Sequence, residues 1–358
     1  MKKTVVFTGG HHNSALVIAS QLKREGYFLA WIGHKFAAGG DKNVSAEYQE
    51  VSAAQIPFYE LKTGKFYRQI NPFTHLKTFF GFLQALSYLL RLRPKLIVSF
   101  GGYLAVPVVL AGWILRVPSV THEQTVVAGW ANRAIAPFVD KIFLTHASSL
   151  VSYPKKKSLV VGLPLRRELF DPHLKKKFSP KLLYISCGKQ GSHVINQALF
   201  PLIPRLIKRF TIVHQTGANT KTKDIDKARR LKESLGDLAG RYHYAPYFFA
   251  SEAATYLQSA AMVISRAGAH LTYELSLLQK RTVFIPIAWV SHNEQLLNAR
   301  QAAKVTPAVI LTENELNPES LLAAIEKVER LKPKTKVKAD PFAAADKMLA
   351  VIHEYLQS

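Results

Sequence analysis

Four short stretches place reactive residue types where a loop could use them. The first, "TGGHHNSAL" (8–16), joins an apolar run to a helical pattern through two glycines and two histidines. Gly9 and Gly10 allow a sharp turn and a close approach to a ligand. A helix beginning near Asn13 or Ser14, both good N-caps, would point free N–H groups at an anion. An imidazole there can take a proton from a hydroxyl near neutral pH. The same spacing also describes two surface histidines with no role. In the second stretch, "SCGKQGSHVINQ" (186–197), Gly188 and Gly191 bracket Lys189 and Gln190. Backbone N–H groups and a lysine suit a diphosphate, although the pattern is neither a P-loop nor a dinucleotide fingerprint.

The third stretch, "SRAGAHLTYELSL" (265–277), reads as strand, turn and helix, with the helix starting near His270 and Glu274 one turn inside. A carboxylate there can accept from two ribose hydroxyls, or it can simply complement the helix N-terminus, worth about 0.3–1 kcal/mol. The fourth, "HNEQLLNA" (292–299), is a polar loop entering a helix and carries Glu294 and Gln295.

Strand-like runs stand before these loops. "KTVVFTG", "FLAWIG", "KLIVSFG", "PSVTHE", "KIFLTH" and "SLVVG" form one series; "KLLYISCG", "FTIVHQTG", "YHYAPY", "AMVISRAG", "RTVFIPI" and "AVILTE" form another. Each alternates with helical patterns, and many end in Gly, His or Thr, at the sheet edge where open parallel sheets bind ligands. The expected fold is therefore α/β, two doubly wound Rossmann-like domains facing across a cleft. Residues 1–165 would form the first and 166–340 the second. "LRRELFDPHLKKKFSPK" (165–181) reads as the linker, and a last helix over 341–358 would pack back on the first domain.

Composition narrows the partner. The 358 residues carry 48 Lys+Arg against 24 Asp+Glu, a net charge of +24, so the chain attracts polyanions: nucleic acid, anionic headgroups or phosphorylated small molecules. No zinc-finger spacing, aromatic RNA-binding pattern or basic heptad appears, and no nucleic acid partner is expected. The single cysteine, Cys187, suits a reducing cytoplasm, and "MKKTVVFTGG" turns too early for a signal peptide. The uncharged run from Leu96 to Leu115 is long enough for a membrane span, but Gly101, Gly102 and Pro107 interrupt it. It reads as strand, glycine turn and core helix.

One helix, Pro72–Leu92, is apolar beyond a single stripe. Phe73, Leu76, Phe80, Leu83 and Leu90 can supply a core face, while Phe79, Phe82 and Leu86 widen the apolar surface. With Lys62, Lys65, Arg68, Lys77, Arg91, Arg93 and Lys95 around it, this suits an anionic membrane surface. A helix buried on two sides is the other reading.

Taken together, "FGGY" (100–103), "THEQ" (121–124), "HQTG" (214–217), "SRAGA" with Thr272 and Glu274, and "HNEQLLNA" resemble the MurG family of bacterial cell-wall glycosyltransferases in order and spacing, over nearly the whole chain. The resemblance implies a GT-B fold and an inverting, UDP-N-acetylglucosamine-dependent hexosyltransferase. Its acceptor would be undecaprenyl-diphosphate-linked muramyl-pentapeptide, in peptidoglycan precursor synthesis. It implies a peripheral enzyme on the cytoplasmic face of the cell membrane, meeting anionic lipid through Phe79, Phe82 and the surrounding Lys and Arg. No Asp-x-Asp ligand pair is expected, which fits a metal-independent reaction, and no cofactor is expected. Residue by residue, His11 matches the proposed general base. Arg166 in "GLPLRR", Gly188, Lys189, Gln190 and Gly191 fall at the donor diphosphate, with Ala250, Ala269, His270, Leu271, Thr272, Glu274 and Gln295 at the uridine, ribose and sugar. Gly9, Gly10, His12, Asn13, Tyr103, His122, Glu123 and Thr125 fall where the family binds its acceptor.

Three positions depart from the family. Its "GGGTGGH" is shortened to "GGHH", its "HEQN" becomes "HEQT" with Thr125, and the serine of its "GGSQGA" becomes Lys189. Other functions compatible with such a fold are a related transferase with another acceptor, a UDP-N-acetylglucosamine 2-epimerase, and a non-catalytic UDP-sugar-binding protein.

Overall fold

The computed structural model describes residues 3–36, 44–64, 72–188, 191–219, 221–287, 293–334 and 340–357, with the side chains of 72–75 and 250 set aside. Lys189, Gln190, His292, Lys65 and Arg68 lie outside the described residues, as do the side chains of Phe73 and Ala250. The chain divides into two units, Met1–Arg166 with Asp340–Ser358, and Arg167–Ala339.

The first unit runs β1 (Thr4–Thr8), α1 (His12–Arg24), β2 (Phe28–Gly33), α2 (Ala46–Ala53), β3 (Phe58–Glu60), α3 (Pro72–Leu92), β4 (Leu96–Ser99), α4 (Ala105–Ile114), β5 (Ser119–Glu123), α5 (Trp130–Ile135), β6 (Lys141–Leu144) and β7 (Ser158–Val160). Its strands pair in parallel in the order β3-β2-β1-β4-β5-β6-β7. The central strands are apolar on both faces because helices cover both. Val5 and Phe7 of β1 pack with Ala15, Ile18 and Leu22 of α1, while Val6 between them points to the other face, with Ala85, Leu89, Val108 and Ala111.

The second unit runs β8 (Leu182–Ser186), α6 (His193–Leu199), α7 (Ile203–Leu206), β9 (Thr211–Gln215), α8 (Asp224–Glu233), β10 (Tyr242–Ala245), α9 (Ala250–Ser259), β11 (Met262–Ser265), α10 (Ala269–Leu277), β12 (Arg281–Phe284), α11 (Glu294–Val305), β13 (Ala308–Ile310) and α12 (Pro318–Arg330). Its sheet is also all parallel, β10-β9-β8-β11-β12-β13. The final helix, α13 (Ala343–Gln357), belongs to the first unit, where Met348, Leu349, Ile352 and Leu356 join the core of α1. In each unit the winding reverses at the middle, between β1 and β4 and between β8 and β11. In open parallel sheets the carboxyl edge at such a reversal is where ligands commonly bind.

The apolar run 96–115 is β4, a glycine turn and the ten-residue α4, and among the described residues no helix is long and apolar enough to cross a membrane. Helix α3 corrects the sequence reading of its faces. Phe82, Ala85, Leu86 and Leu89 pack toward β4 and α4, whereas Leu76, Phe80, Leu83 and Leu90, expected in the core, are exposed together with Phe79. Both stripes are apolar at helical spacing, so periodicity alone does not choose between them. Phe82, expected at the membrane, is partly buried against this core.

Candidate active site

In the first unit the loops after β1 and β4 meet directly. Gly9 takes φ +125°, and a Cβ there would stand 2.7 Å from backbone atoms of Phe100 and Gly101. Gly10 N–H donates to Gly101 O at 3.0 Å, and Gly101 and Gly102 both have positive φ. Only residues without a side chain fit so close an approach. The glycine turn therefore packs against "FGGY" and spends the Gly10 amide on the protein itself.

Helix α1 begins one or two residues earlier than Asn13 or Ser14 would suggest. His11 is its N-cap, and no side chain caps it. His11, Asn13 and Tyr103 stay half-buried at this edge, and Gly10 is exposed. The two histidines then part. His12, expected as a polar contact for the acceptor, is buried with its Nε2 3.5 Å from Glu50 Oε2 on α2. His12 is the first helical residue and turns toward α2, while His11, the N-cap before it, stays at the edge.

His122, Glu123 and Thr125 are also inward residues. His122 is fully buried, with Phe100 beside it and Nε2 donating to Gly162 O at 2.9 Å, and burial lowers its pKa to about 4. Glu123 is a hub for the loop after β5. It accepts from Tyr153 OH (2.5 Å), Gly129 N (2.8 Å), Thr125 N (3.1 Å) and Asn132 Nδ2 (3.2 Å). Burial works to raise its pKa, but these donors outweigh it and hold the carboxyl below its ordinary range. Thr125 is closed in the same loop, its hydroxyl shared between Glu123 and Val127 O. These three residues shape the edge rather than line it. Tyr153, thirty residues from its partner, carried no signal in the sequence.

The second unit has the counterpart edge. Gly188 and Gly191 have φ +78° and +77°, and Gly191 N donates to Gly188 O at 3.2 Å. The turn rests on the end of β9: Gln215 Nε2 donates to Gly188 O at 2.8 Å, and a Cβ on Gly191 would collide with Thr216 O. After β11, helix α10 starts at Ala269 behind Gly268 with no side-chain cap, in contrast to α2 and α12, which Ser45 and Asn317 cap. Its first N–H groups suit an anion. Ala269, His270 and Leu271 are half-buried there, and Thr272 turns its hydroxyl to Gly268 O and Ala269 O. Glu274 is almost wholly buried with His270 Nε2 3.0 Å away. Gln295 opens α11 and accepts from Ile287 N at 3.1 Å. Arg166, half-buried, ends the first unit's long N-terminal segment, immediately before the second unit begins at Arg167.

Two features of this edge escaped the sequence reading. Arg266 ties three loops together, through Ser192 Oγ (2.6 Å), Ile285 O (3.1 Å) and Glu313. Contrary to the expectation that no Asp-x-Asp occurs, the chain holds one, Asp224-Ile225-Asp226, a spacing that can offer two carboxylates to a metal. Here Asp224 is buried beside His193, and Asp226 pairs with Arg229 at 3.1 Å.

Comparison with known proteins identifies the fold's lineage. The model of the glycosyltransferase family 28 N-terminal domain matches residues 4–144, and that of its C-terminal domain matches 182–353. The chain belongs to glycosyltransferase family 28. Within family 28 it falls in the MurG group. A relative from Clostridium perfringens, named UDP-N-acetylglucosamine–N-acetylmuramyl-(pentapeptide) pyrophosphoryl-undecaprenol N-acetylglucosamine transferase, is 32% identical over 93% of this chain and 92% of its own length. The solved MurG of Acinetobacter baumannii matches with a TM-score of 0.65 at 21% identity, over 98% of this chain and 99% of that one. A UDP-GlcNAc 2-epimerase from Neisseria meningitidis, solved with UDP-GlcNAc, gives 0.63 at 14%, over 99% and 100%. Such structural likeness establishes the GT-B fold that transferase and epimerase share; the family-28 sequence match separates them.

Proposed function

We propose that this family-28 chain transfers N-acetylglucosamine from UDP-N-acetylglucosamine to a muramyl-pentapeptide carried on a lipid diphosphate, with inversion at the anomeric carbon. The observation that carries the reading is the 32% identity, over nearly the full length of both chains, to a transferase named for that reaction. An acceptor hydroxyl attacks the anomeric carbon, the bond to the UDP oxygen breaks, and the hydroxyl proton passes to a base. His11 takes that proton, since it remains at the edge while His12 and His122 are turned inward. Gly9, Gly10, Asn13 and Tyr103 frame the acceptor; Glu123 and Thr125 hold the neighbouring loop in shape.

The donor lies at the second unit's edge. The Gly188–Gly191 turn, the uncapped start of α10 and Arg166 oppose the charge that develops on UDP as it leaves, a preorganised arrangement that usually supplies a large share of catalysis. Glu274 accepts the ribose hydroxyls, and Gln295 meets the sugar. The chain works as a peripheral protein on the cytoplasmic face of the membrane. The exposed face of α3 supports this: Leu76, Phe79, Phe80, Leu83 and Leu90 stand with exposed Lys77, Arg91, Arg93 and Lys95.

The test is transfer of radiolabelled N-acetylglucosamine from its UDP donor to a lipid-diphosphate muramyl-pentapeptide analogue, with UDP release followed in parallel. Product that requires both substrates is expected. UDP binding with no transfer would overturn the acceptor assignment and leave the donor assignment standing.

A further inference from the structure

His193 and Asp224 form a pair with no part in the roles above. His193 opens α6, two residues past the glycine turn, and its Nδ1 lies 2.9 Å from Asp224 Oδ1 and 3.1 Å from Oδ2. The carboxylate side chain is 4% exposed, the imidazole 45%. Asp224 also accepts from Asn196 Nδ2 at 2.9 Å, and Gln197 Nε2 approaches it at 3.5 Å. Asn196 is itself fixed, donating to Thr216 O and accepting from His214 Nε2 at 3.0 Å; His214 Nδ1 in turn accepts from Tyr242 OH at 3.0 Å. Burial holds His214 neutral, its pKa lowered to about 3, as this pattern of one donating and one accepting nitrogen requires.

A polar chain thus runs from the β9–β10 core outward and ends on a half-exposed ring. Burying a carboxylate is costly unless its lone pairs are satisfied, and here the satisfaction comes partly from a ring that is itself 45% exposed. The pair and the glycine turn share one support, because Gly191 rests on the same Thr216 carbonyl that Asn196 holds. Lys227 of α8 lies on the far side, bonded to Gln197 Oε1, and Arg266 holds Ser192 on the other flank.

We propose that His193, oriented by Asp224, binds a phosphate of the UDP-sugar through Nε2. With Nδ1 engaged by the carboxylate, Nε2 is the nitrogen left to donate to the phosphate. The proposal rests on the donor reading above. It makes Asp224 a positioning residue for His193 and removes it from consideration as a metal ligand.

The experiment is calorimetric titration of the full chain with UDP and with uridine, for the wild type, His193→Ala and His193→Arg, with unfolding temperatures measured alongside. His193→Ala should weaken UDP at least about tenfold and uridine less than about twofold, the loss expected of a charge-assisted hydrogen bond. His193→Arg, which restores N–H donors and charge, should recover most of the UDP affinity. Equal losses for UDP and uridine, or unchanged UDP binding with a lowered unfolding temperature, would mean that His193 serves only to satisfy Asp224. A wild-type chain that binds no UDP would overturn the donor reading, and this inference with it.

Discussion

Gly10 donates its backbone N–H to Gly101 O at 3.0 Å, joining the loop after β1 to the loop after β4 where the sheet's winding reverses. Gly9 sits beneath this contact with φ +125°. Gly9→Ala should cost about 2–5 kcal/mol from backbone strain and overpacking combined. Urea unfolding followed by tryptophan fluorescence measures it; a loss under about 1 kcal/mol would mean the loop yields easily.

His11→Ala should lower the turnover of sugar transfer by about a hundredfold to ten-thousandfold, the usual range for a general base, with UDP affinity unchanged. His12→Ala should act instead through stability, because its partner Glu50 is then left buried. Steady-state kinetics beside thermal unfolding separates the two. Full activity in His11→Ala would remove it as the base.

Stability should fall on mild acidification. His122 and His214 are neutral in the fold, with pKa values lowered by burial to about 4 and about 3, against an ordinary value of 6.5. As pH falls below about 6.5 the unfolded chain takes up protons that the folded chain refuses. The stabilisation is complete above that value and is lost toward about 4 and 3, by up to about 1.4 kcal/mol per pH unit for each ring. Glu123, with its pKa lowered from 4.5, adds its own loss only below that value. Denaturant midpoints at pH 7.5 and 5.5 test this, with His214→Gln expected to flatten the slope. A wild-type midpoint that does not move would contradict it.

The two faces of α3 should respond differently to the same substitution. Phe79→Ser with Phe80→Ser should reduce cosedimentation with anionic vesicles and leave the unfolding temperature within about 2 °C. Phe82→Ser should destabilise by about 1–3 kcal/mol, because its ring packs against the core. Vesicle binding unaffected by the exposed pair would detach α3 from the membrane.

Much of the architecture was legible in the chain itself. Short apolar runs ending in Gly, His or Thr mark strands whose carboxyl ends carry loops, and every run read that way is a strand. Among the strands of the described residues only β3 was passed over: three residues at a sheet edge, half-exposed throughout, leave too short a pattern to detect. Gly9 and Gly191 were legible for the same local reason, since positive φ and close backbone approach exclude side chains there.

What the sequence determined by itself was local: strand, turn, helix, and the residue types at each loop. Which face of α3 lies inside, which of His11 and His12 turns outward, and what Glu123 and Asp224 hold were decided by tertiary structure. Periodicity describes one element at a time. A side chain's direction and partner depend on what packs against that element, and here Tyr153 and His193 come from thirty or more residues away.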